Sequence, residues 1–248
     1  MNLLEHLLDP ASWSGAEGIP ARLGEHLFYS GASLAAAILI ALPLGVLIGH
    51  TRRGNLLVAG LANATRALPT LGLLVLVVLL MGTGALPVIL ALTVLAIPPI
   101  LNATVVGFRT ADSDAVLAAA AMGMTGGQQV AKVELPLASP LIISGIRSAA
   151  LQVIATATVA AMAASGGLGR FVLDGQKRAD GYPEMVTGAL LVMVLALLAD
   201  LLLGGLAFVA TKRASGRRKV PTDMFEEPDP GNETDGVTSD SGNEGAPS

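Results

Sequence analysis

The sequence predicts an all-α, polytopic membrane protein with about five transmembrane helices, or six if the second apolar stretch divides in two. Hydrophobic residues make up 52% of its 248 positions, charged residues make up 14%, and the mean hydropathy is +0.66. Three segments, residues 26–51, 67–108 and 148–169, contain no Lys, Arg, Asp or Glu over 26, 42 and 22 positions. About 20 apolar residues cross a bilayer at roughly 1.5 Å each, so the middle segment is long enough for two crossings.

Charges and turn residues divide the apolar stretches into five predicted crossings. The first ends at the cations Arg52 and Arg53, which are costly to place in lipid. The second is interrupted by Arg66 and Pro69, and we count it as one helix kinked at the proline. In chain order, the predicted spans are residues 26–50, 55–82, 87–108, 140–164 and 185–210.

Residues 110–136 form a polar interlude between the third and fourth crossings, and their pattern predicts two short helices. One of residues 112–114 (Asp-Ser-Asp) can cap an Ala-rich first helix, and Gly126-Gly127 is expected to break it. The second helix is expected to end at Pro136. A loop over residues 165–183 then joins the last two crossings.

The distribution of basic residues predicts the orientation in the membrane. Nine Lys and Arg residues lie beside the interlude or the span ends on its side, against four on the other side. The positive-inside rule therefore places residues 1–24 outside the cell and residues 212–248 in the cytoplasm. From residue 220 the chain has eight acidic and no basic residues, and it is too polar to form a packed core, so we expect a disordered tail.

Residue signatures of enzymes are missing from the sequence. The chain has no Cys, its three His residues are scattered, and no Lys is followed by the Ser or Thr that a phosphate-binding P-loop requires. We therefore predict no catalytic residue, no metal site, no cofactor and no nucleic-acid partner for this chain.

Charges inside the predicted spans are few. An ion-coupled carrier needs a relay of ionisable groups in the membrane, and Asp200 is the one acid well inside a span. We expect Asp200 to be paired with a partner helix rather than to carry protons. Arg66 and Arg147 lie near enough to span ends to reach an interface.

The interlude contains a spaced motif. An Ala-Ala pair is followed by Gly four residues later and by an apolar-x-Leu-Pro sequence ten residues after that. A surface Ala helix closed by proline explains the composition but not the full spacing. The spacing resembles the coupling motif of ABC-importer permeases, although Leu117 stands where that motif has glutamate. The matching residues are Ala118, Ala119, Gly123, Val133, Leu135 and Pro136.

The likeness extends over about residues 25–211, and in its details the chain resembles the permease subunits of osmoprotectant importers for glycine betaine, carnitine and choline. Segments that carry this resemblance include Leu68-Pro69-Thr70-Leu71, Pro99-Ile100-Leu101-Asn102-Ala103-Thr104, Met122-Gly123-Met124-Thr125, Val133-Glu134-Leu135-Pro136, Gly145-Ile146-Arg147, Ala155-Thr156-Ala157-Thr158 and Gly166-Gly167-Leu168-Gly169.

The resemblance implies a type I (MetI-like) importer permease fold in the bacterial cytoplasmic (inner) membrane, with a coupling helix at about 112–136. It also implies three kinds of partner: a second, homologous or identical permease; cytoplasmic ATPases that use ATP and Mg; and an extracytoplasmic solute-binding protein. Two alternatives stay open at this point. One is an importer of methionine or another small amphipathic solute, and the other is a secondary carrier or membrane scaffold.

The predicted spans offer no aromatic cage for a quaternary ammonium, because residues 30–107 and 109–170 contain no Phe, Tyr or Trp. We therefore expect a weak, polar passage through the membrane. Its candidate lining residues are Thr70, Asn102, Thr104, Gln152, Thr156 and Thr158.

Overall fold

The computed structural model describes residues 3–54, 69–163 and 166–215, together with Gly60, and these residues confirm the all-α class. Two short 3₁₀ turns, Pro10–Trp13 and Ala161–Ala163, accompany the helices. The helices are α1 (Leu3–Leu8), α2 (Ile19–Thr51), α3 (Thr70–Met81), α4 (Ala85–Arg109), α5 (Ser113–Ala121), α6 (Gly126–Ala160), α7 (Gly169–Gln176) and α8 (Tyr182–Ser215).

Four of the described helices, α2, α4, α6 and α8, are long and apolar enough to cross a membrane. They correspond to four of the five predicted spans. The second predicted span is described only from residue 69 onward, where α3 has 12 residues and a length of roughly 18 Å. Most of the segment before it, including Arg66, lies outside the described residues.

The core is formed by α2, α4 and α6, which pack closely through small residues. A β-carbon at Gly45 would lie 2.6 Å from Cβ of Thr104, and one at Gly49 would lie 2.6 Å from Cβ of Phe108. Such glycines let two helix backbones approach closely, which is how membrane helices gain packing contacts in the absence of a hydrophobic drive. The hydroxyl of Ser33 adds a hydrogen bond from α2 to the carbonyl of Ile89 in α4, at 3.2 Å.

Helix α8 lies at the periphery, against α6 and α7. Its surface carries a long series of exposed apolar side chains, from Leu190 to Val209. This distribution is typical of a helix whose outer surface faces lipid.

Helix α6 is continuous from Gly126 to Ala160, so the predicted end of a helix at Pro136 is wrong. Val130–Glu134 form a π turn, in which the N–H of Leu135 donates to the carbonyl of Val130, five residues earlier. Proline has no N–H, and its ring clashes with the carbonyl four residues earlier in a regular α-helix. The wider π turn just before Pro136 accommodates the proline, and the helix continues into the membrane span.

The connection over residues 165–183 was predicted to be a loop, but it contains α7. Leu168 and Phe171 are buried in an apolar cluster with Ile19 of α2. Arg170 and Asp174 form an ion pair at 3.0 Å with the i,i+4 spacing that stabilises a helix. The apolar contacts to α2 fold this segment, which its glycine content alone would not predict.

Candidate coupling site and translocation surface

Helix α5 begins at the cap that the sequence predicted. Among residues 112–114, Asp112 is the N-cap, and its carboxylate accepts hydrogen bonds from the backbone N–H groups of Asp114 at 3.0 Å and Ala115 at 3.4 Å. These bonds satisfy N–H groups that have no partner within the helix.

The end of α5 lies earlier than predicted, at Ala121, and Gly123 rather than Gly126-Gly127 reverses the chain. Gly123 has φ +78°, a left-handed conformation that side chains disfavour. Its N–H donates to the carbonyl of Ala120 and the N–H of Met124 donates to that of Ala119, at 2.9 and 3.1 Å. This is the Schellman arrangement that closes many helices. Gly126 and Gly127 lie in the first turn of α6.

One face of α5 and its end form an exposed patch, which we call the docking patch. Ala119 points the other way and is 1% exposed, which anchors the helix to the rest of the chain. Leu117 is 67% exposed and Met122 is 72% exposed, and both lie in the polar interlude rather than in a membrane span. The docking patch consists of Leu117, Ala118, Ala121, Met122 and Gly123.

The start of α6 is fixed by a capping box that sequence reasoning missed. The backbone N–H of Thr125 donates to the side-chain oxygen of Gln128 at 2.9 Å, and the Thr125 side chain caps the same turn. The Thr-x-x-Gln spacing is the signal that could have found it. Further along, Leu135 is exposed, whereas Val133 and Pro136 are half-buried. The predicted motif residues therefore lie in α5, in the turn at Gly123 and in the first part of α6.

A partly buried pair of side chains, which no sequence pattern indicates, connects this region to the first span. His50 Nδ1 lies 2.7 Å from Oε2 of Glu134, although the residues are 84 positions apart. The Glu134 side chain is 9% exposed, and that of His50 is 31% exposed. Because a carboxylate only accepts hydrogen bonds, Nδ1 carries the hydrogen.

Asp200 was predicted to pair with a neighbouring helix, and its partner is Arg147. The guanidinium Nε and Nη2 atoms donate to the two carboxylate oxygens, both at 2.6 Å, in a bidentate pair between α6 and α8. Bidentate geometry is the strongest form of this interaction. The pair gives Asp200 a partner on a neighbouring helix, as predicted.

The candidate path residues differ in their exposure. Thr70 and Asn102 are exposed on α3 and α4, and Gln152 and Thr156 are half-buried on α6. Thr104 is fully buried against Gly45, and its hydroxyl donates to the carbonyl of Ile100 at 2.8 Å. In this structure Thr104 therefore lies in the contact between α2 and α4 and lines no open surface.

Thr158 also donates to its own helix, to the carbonyl of Ile154 at 3.4 Å, and it lies at the end of α6 beside α7. Two exposed serines that we did not predict, Ser144 and Ser148, extend the polar row instead. Residues 144, 148, 152 and 156 recur every four positions, which places them along one side of α6. We call Ser144, Ser148, Gln152 and Thr156 the polar stripe.

At the opposite end of the bundle, the first span holds the turn before α7. The Glu25 carboxylate accepts the N–H of Gly167 at 2.8 Å, and the hydroxyl of Tyr29 lies 3.4 Å from the N–H of Gly166. Beneath this turn, the fully buried His26 donates from Nε2 to the carbonyl of Ile154 at 3.2 Å. These contacts connect α2, α6 and α7 at this end.

Within the part of the chain that the structure describes, no group of three or more His, Cys, Asp or Glu side chains is placed to hold a metal ion.

Residues 41–209 match the family described as "Binding-protein-dependent transport system inner membrane component". The chain belongs to this family. The matched segment contains the docking patch, the π turn and the polar stripe. Membership also makes this chain a membrane-spanning permease subunit of an importer.

Within this family, the chain is similar to permeases of osmoprotectant importers. The chain is 35% identical over 183 residues to a "Glycine betaine/carnitine/choline transport system permease protein" of Bacillus subtilis, covering 73% of this chain and 83% of the relative. It is also 35% identical to a "Carnitine transport permease protein" of Listeria monocytogenes, over 77% of this chain and 87% of the relative. The resemblance to osmoprotectant permeases that the sequence motifs indicated is confirmed.

A solved structure agrees with the fold. An inward-facing structure of the MetNI methionine ABC transporter matches 75% of this chain and 93% of the matched chain, with a TM-score of 0.67 and 25% identity. The MetI-like permease fold that the resemblance implied is therefore confirmed.

Proposed function

We propose that this chain is the permease of an importer for a quaternary-ammonium compatible solute, such as glycine betaine, carnitine or choline. The observation that carries the proposal is the 35% identity to the Bacillus subtilis permease, which extends over most of both chains. Methionine transport is the second candidate because of the likeness to the methionine transporter, but the identity there is 25%.

In this proposal the docking patch binds a cytoplasmic ATPase, which uses ATP and Mg. Leu117 and Met122 project from a helix that is anchored beneath by the buried Ala119. An apolar patch of this kind is favourable when a partner covers it. Because Leu117 replaces the motif glutamate, the contact on this subunit is apolar, and a second permease subunit with a glutamate at that position would provide the charged contact.

The charges at the two ends of the bundle support the proposed orientation. Arg52, Arg109, Lys132 and Lys212 lie at the end that carries the docking patch. At the other end, Arg22, Arg170 and Arg178 are each paired with a carboxylate. The positive-inside rule places the docking patch and the C-terminal segment in the cytoplasm, and places α1 and α7 outside.

The polar stripe and Asn102 are the proposed path for the solute. They carry hydroxyl and amide groups but no charge, and no aromatic ring lies among them. An ammonium ion over an aromatic face gains about 0.5–2 kcal/mol per contact, so a path without such faces binds the solute weakly. Selectivity then belongs to the external solute-binding protein, and a second permease subunit completes the path.

Reconstitution tests this function. The permease is assembled in proteoliposomes with the ATPase, any second permease and the solute-binding protein encoded beside it, and uptake of labelled glycine betaine, carnitine, choline and methionine is measured. We expect ATP-dependent uptake of a quaternary ammonium. Uptake of methionine alone would favour the second candidate, and ATP-independent uptake driven by an ion gradient would overturn both.

Isothermal titration of the complex without its solute-binding protein tests where selectivity resides. We expect no high-affinity solute binding, and we expect the delivered solute to change when the solute-binding protein is exchanged. A tight, saturable site in the receptor-free complex would contradict the proposed path.

A further inference from the structure

The His50–Glu134 pair occupies a position that the proposed function does not yet explain. Glu134 lies in the π turn of α6, immediately before Leu135 and Pro136. Its side chain is 9% exposed, and a carboxylate so far removed from water requires a hydrogen-bond partner. His50 provides that partner from the last turn of a different helix, α2.

His50 also contacts the other end of the same segment. Its Nε2 atom lies 3.4 Å from the position that a β-carbon at Gly126 would occupy. The imidazole therefore lies beside the first turn of α6 as well as bonding to the π turn. The β-carbon of an alanine at residue 126 would make an ordinary van der Waals contact with the ring.

The helix that carries His50 is firmly fixed to the membrane core. Gly49, the adjacent residue, packs against Phe108 so closely that a β-carbon there would lie 2.6 Å from the Phe108 Cβ. At its far end, α2 holds the turn at Gly166-Gly167 through Glu25 and Tyr29. Helix α2 thus connects His50 to the contacts at the opposite end of the bundle.

We infer that His50 and Glu134 form the positioning contact that couples residues 113–135, which we call the docking segment, to the first membrane helix. This inference rests on the proposed function. Movement imposed on residues 113–135 by an ATPase passes through the pair into α2 and reaches the Glu25–Gly167 contact. The reverse path carries a signal from a docked solute-binding protein to the ATPase.

Coupling is measured in the full reconstituted complex as the ATPase rate with the solute-binding protein divided by the rate without it. We expect His50→Ala and Glu134→Ala to lower this stimulation by roughly fivefold or more, the low end of coupling between linked sites. Basal ATPase activity and thermal stability should change less. Glu134→Gln keeps an acceptor for Nδ1 and should retain more stimulation than Glu134→Ala.

Thr51→Ala is the matched control. Thr51 lies next to His50, but its hydroxyl donates to the carbonyl of Leu47 in its own helix at 2.6 Å. Removal of that hydroxyl should leave the stimulation unchanged. An equal loss in Thr51→Ala and His50→Ala would show that the helix end is merely disturbed, and it would overturn the inference.

A reversible cross-link separates coupling from folding. The natural chain has no Cys, so His50→Cys combined with Glu134→Cys can be joined by a short bifunctional methanethiosulfonate linker. We expect weak stimulation before linking, recovery after linking and loss again on reduction. Stimulation that is normal before linking, or that does not recover afterwards, would overturn the inference.

The two proposals fail in different ways. If the unmodified complex imports none of the tested quaternary ammonium solutes, the proposed solute is wrong, and the receptor-stimulated ATPase rate still reports on the pair. If the unmodified complex imports solute and His50→Ala imports and stimulates equally well, the pair is not a coupling contact.

Discussion

Replacement of Gly123 by alanine should weaken ATPase binding through the backbone alone. The residue has φ +78°, and an L-residue in the left-handed region is less stable by about 1–2 kcal/mol. A β-carbon at this position would meet nothing within 4 Å, so no steric term inside the chain adds to this value. A change of one or two kcal/mol alters a population ratio by about 5- to 30-fold. The Schellman turn should become less populated relative to other conformations by that factor.

A series of variants distinguishes this mechanism from general damage. Gly123→Asn should lie between Gly123 and Gly123→Ala, because asparagine visits the left-handed region more readily. Gly127→Ala is the control: Gly127 is exposed, helical and open around its β-carbon position, so alanine should be neutral or slightly stabilising there. Gly123→Arg adds a bulky cation to the docking patch and should abolish uptake while membrane insertion stays intact.

The assay is the dissociation constant between the purified ATPase and the permease complex in nanodiscs, with ATP-driven uptake measured in parallel. We expect the affinity to fall in the order Gly123, Gly123→Asn, Gly123→Ala. Equal affinities for Gly123→Ala and Gly127→Ala would refute the reasoning, because the left-handed turn would then have no part in docking.

Three further predictions concern the Arg147–Asp200 pair, the orientation in the membrane and the acidic C-terminal segment. Asp200→Ala should lower the Tm of the detergent-solubilised protein, because it leaves the Arg147 guanidinium without its carboxylate in an apolar setting. The double change Arg147→Met with Asp200→Leu should recover part of the loss. A double variant less stable than the single one would contradict this prediction. An impermeant thiol reagent should label a cysteine at position 127 only after the cells are opened and one at position 176 in intact cells, and the reverse pattern would overturn the orientation. Truncation after Lys219 should retain most uptake, since the removed segment has eight acidic groups and few apolar ones; loss of uptake at normal expression would assign it a docking or regulatory role.

The large-scale arrangement could be predicted from the sequence because lipid imposes simple rules. Apolar length and the position of charges determine where a helix can cross, and they located the helices that became α2, α4, α6 and α8. The pairing of Asp200 was predictable for the same reason, since an isolated carboxylate is unstable in a membrane. Its partner was not predictable, because Arg147 is 53 positions away and packing decides which helices meet.

Some local features of the site could not be predicted, because contacts with neighbouring residues overrode the usual preference of a proline, a glycine pair or a threonine. Pro136 ordinarily ends a helix, but the π turn before it removes the clash, and no pattern in the residues announces that turn. Gly126-Gly127 looked like a stronger break than a single glycine, yet the Thr125–Gln128 capping box stabilises that pair inside a helix. Thr104 looked like a path residue by type, but its side of α4 faces Gly45 of α2.

The continuity of α6 changes how movement can reach the solute. Had the helix ended at Pro136, the docking segment and the fourth span would be separate bodies joined by a flexible link. Instead, the turn next to the docking patch and the polar stripe lie on one helix, with roughly 45 Å between residues 126 and 156. We therefore expect a rotation imposed at Gly126 to turn Ser144, Gln152 and Thr156 together, in the manner of rigid-body alternating access. The π turn interrupts the regular α-helical hydrogen bonding of this helix, and Glu134 within it is held by His50. The same contact therefore supports the lever at its irregular turn and transfers its motion to α2.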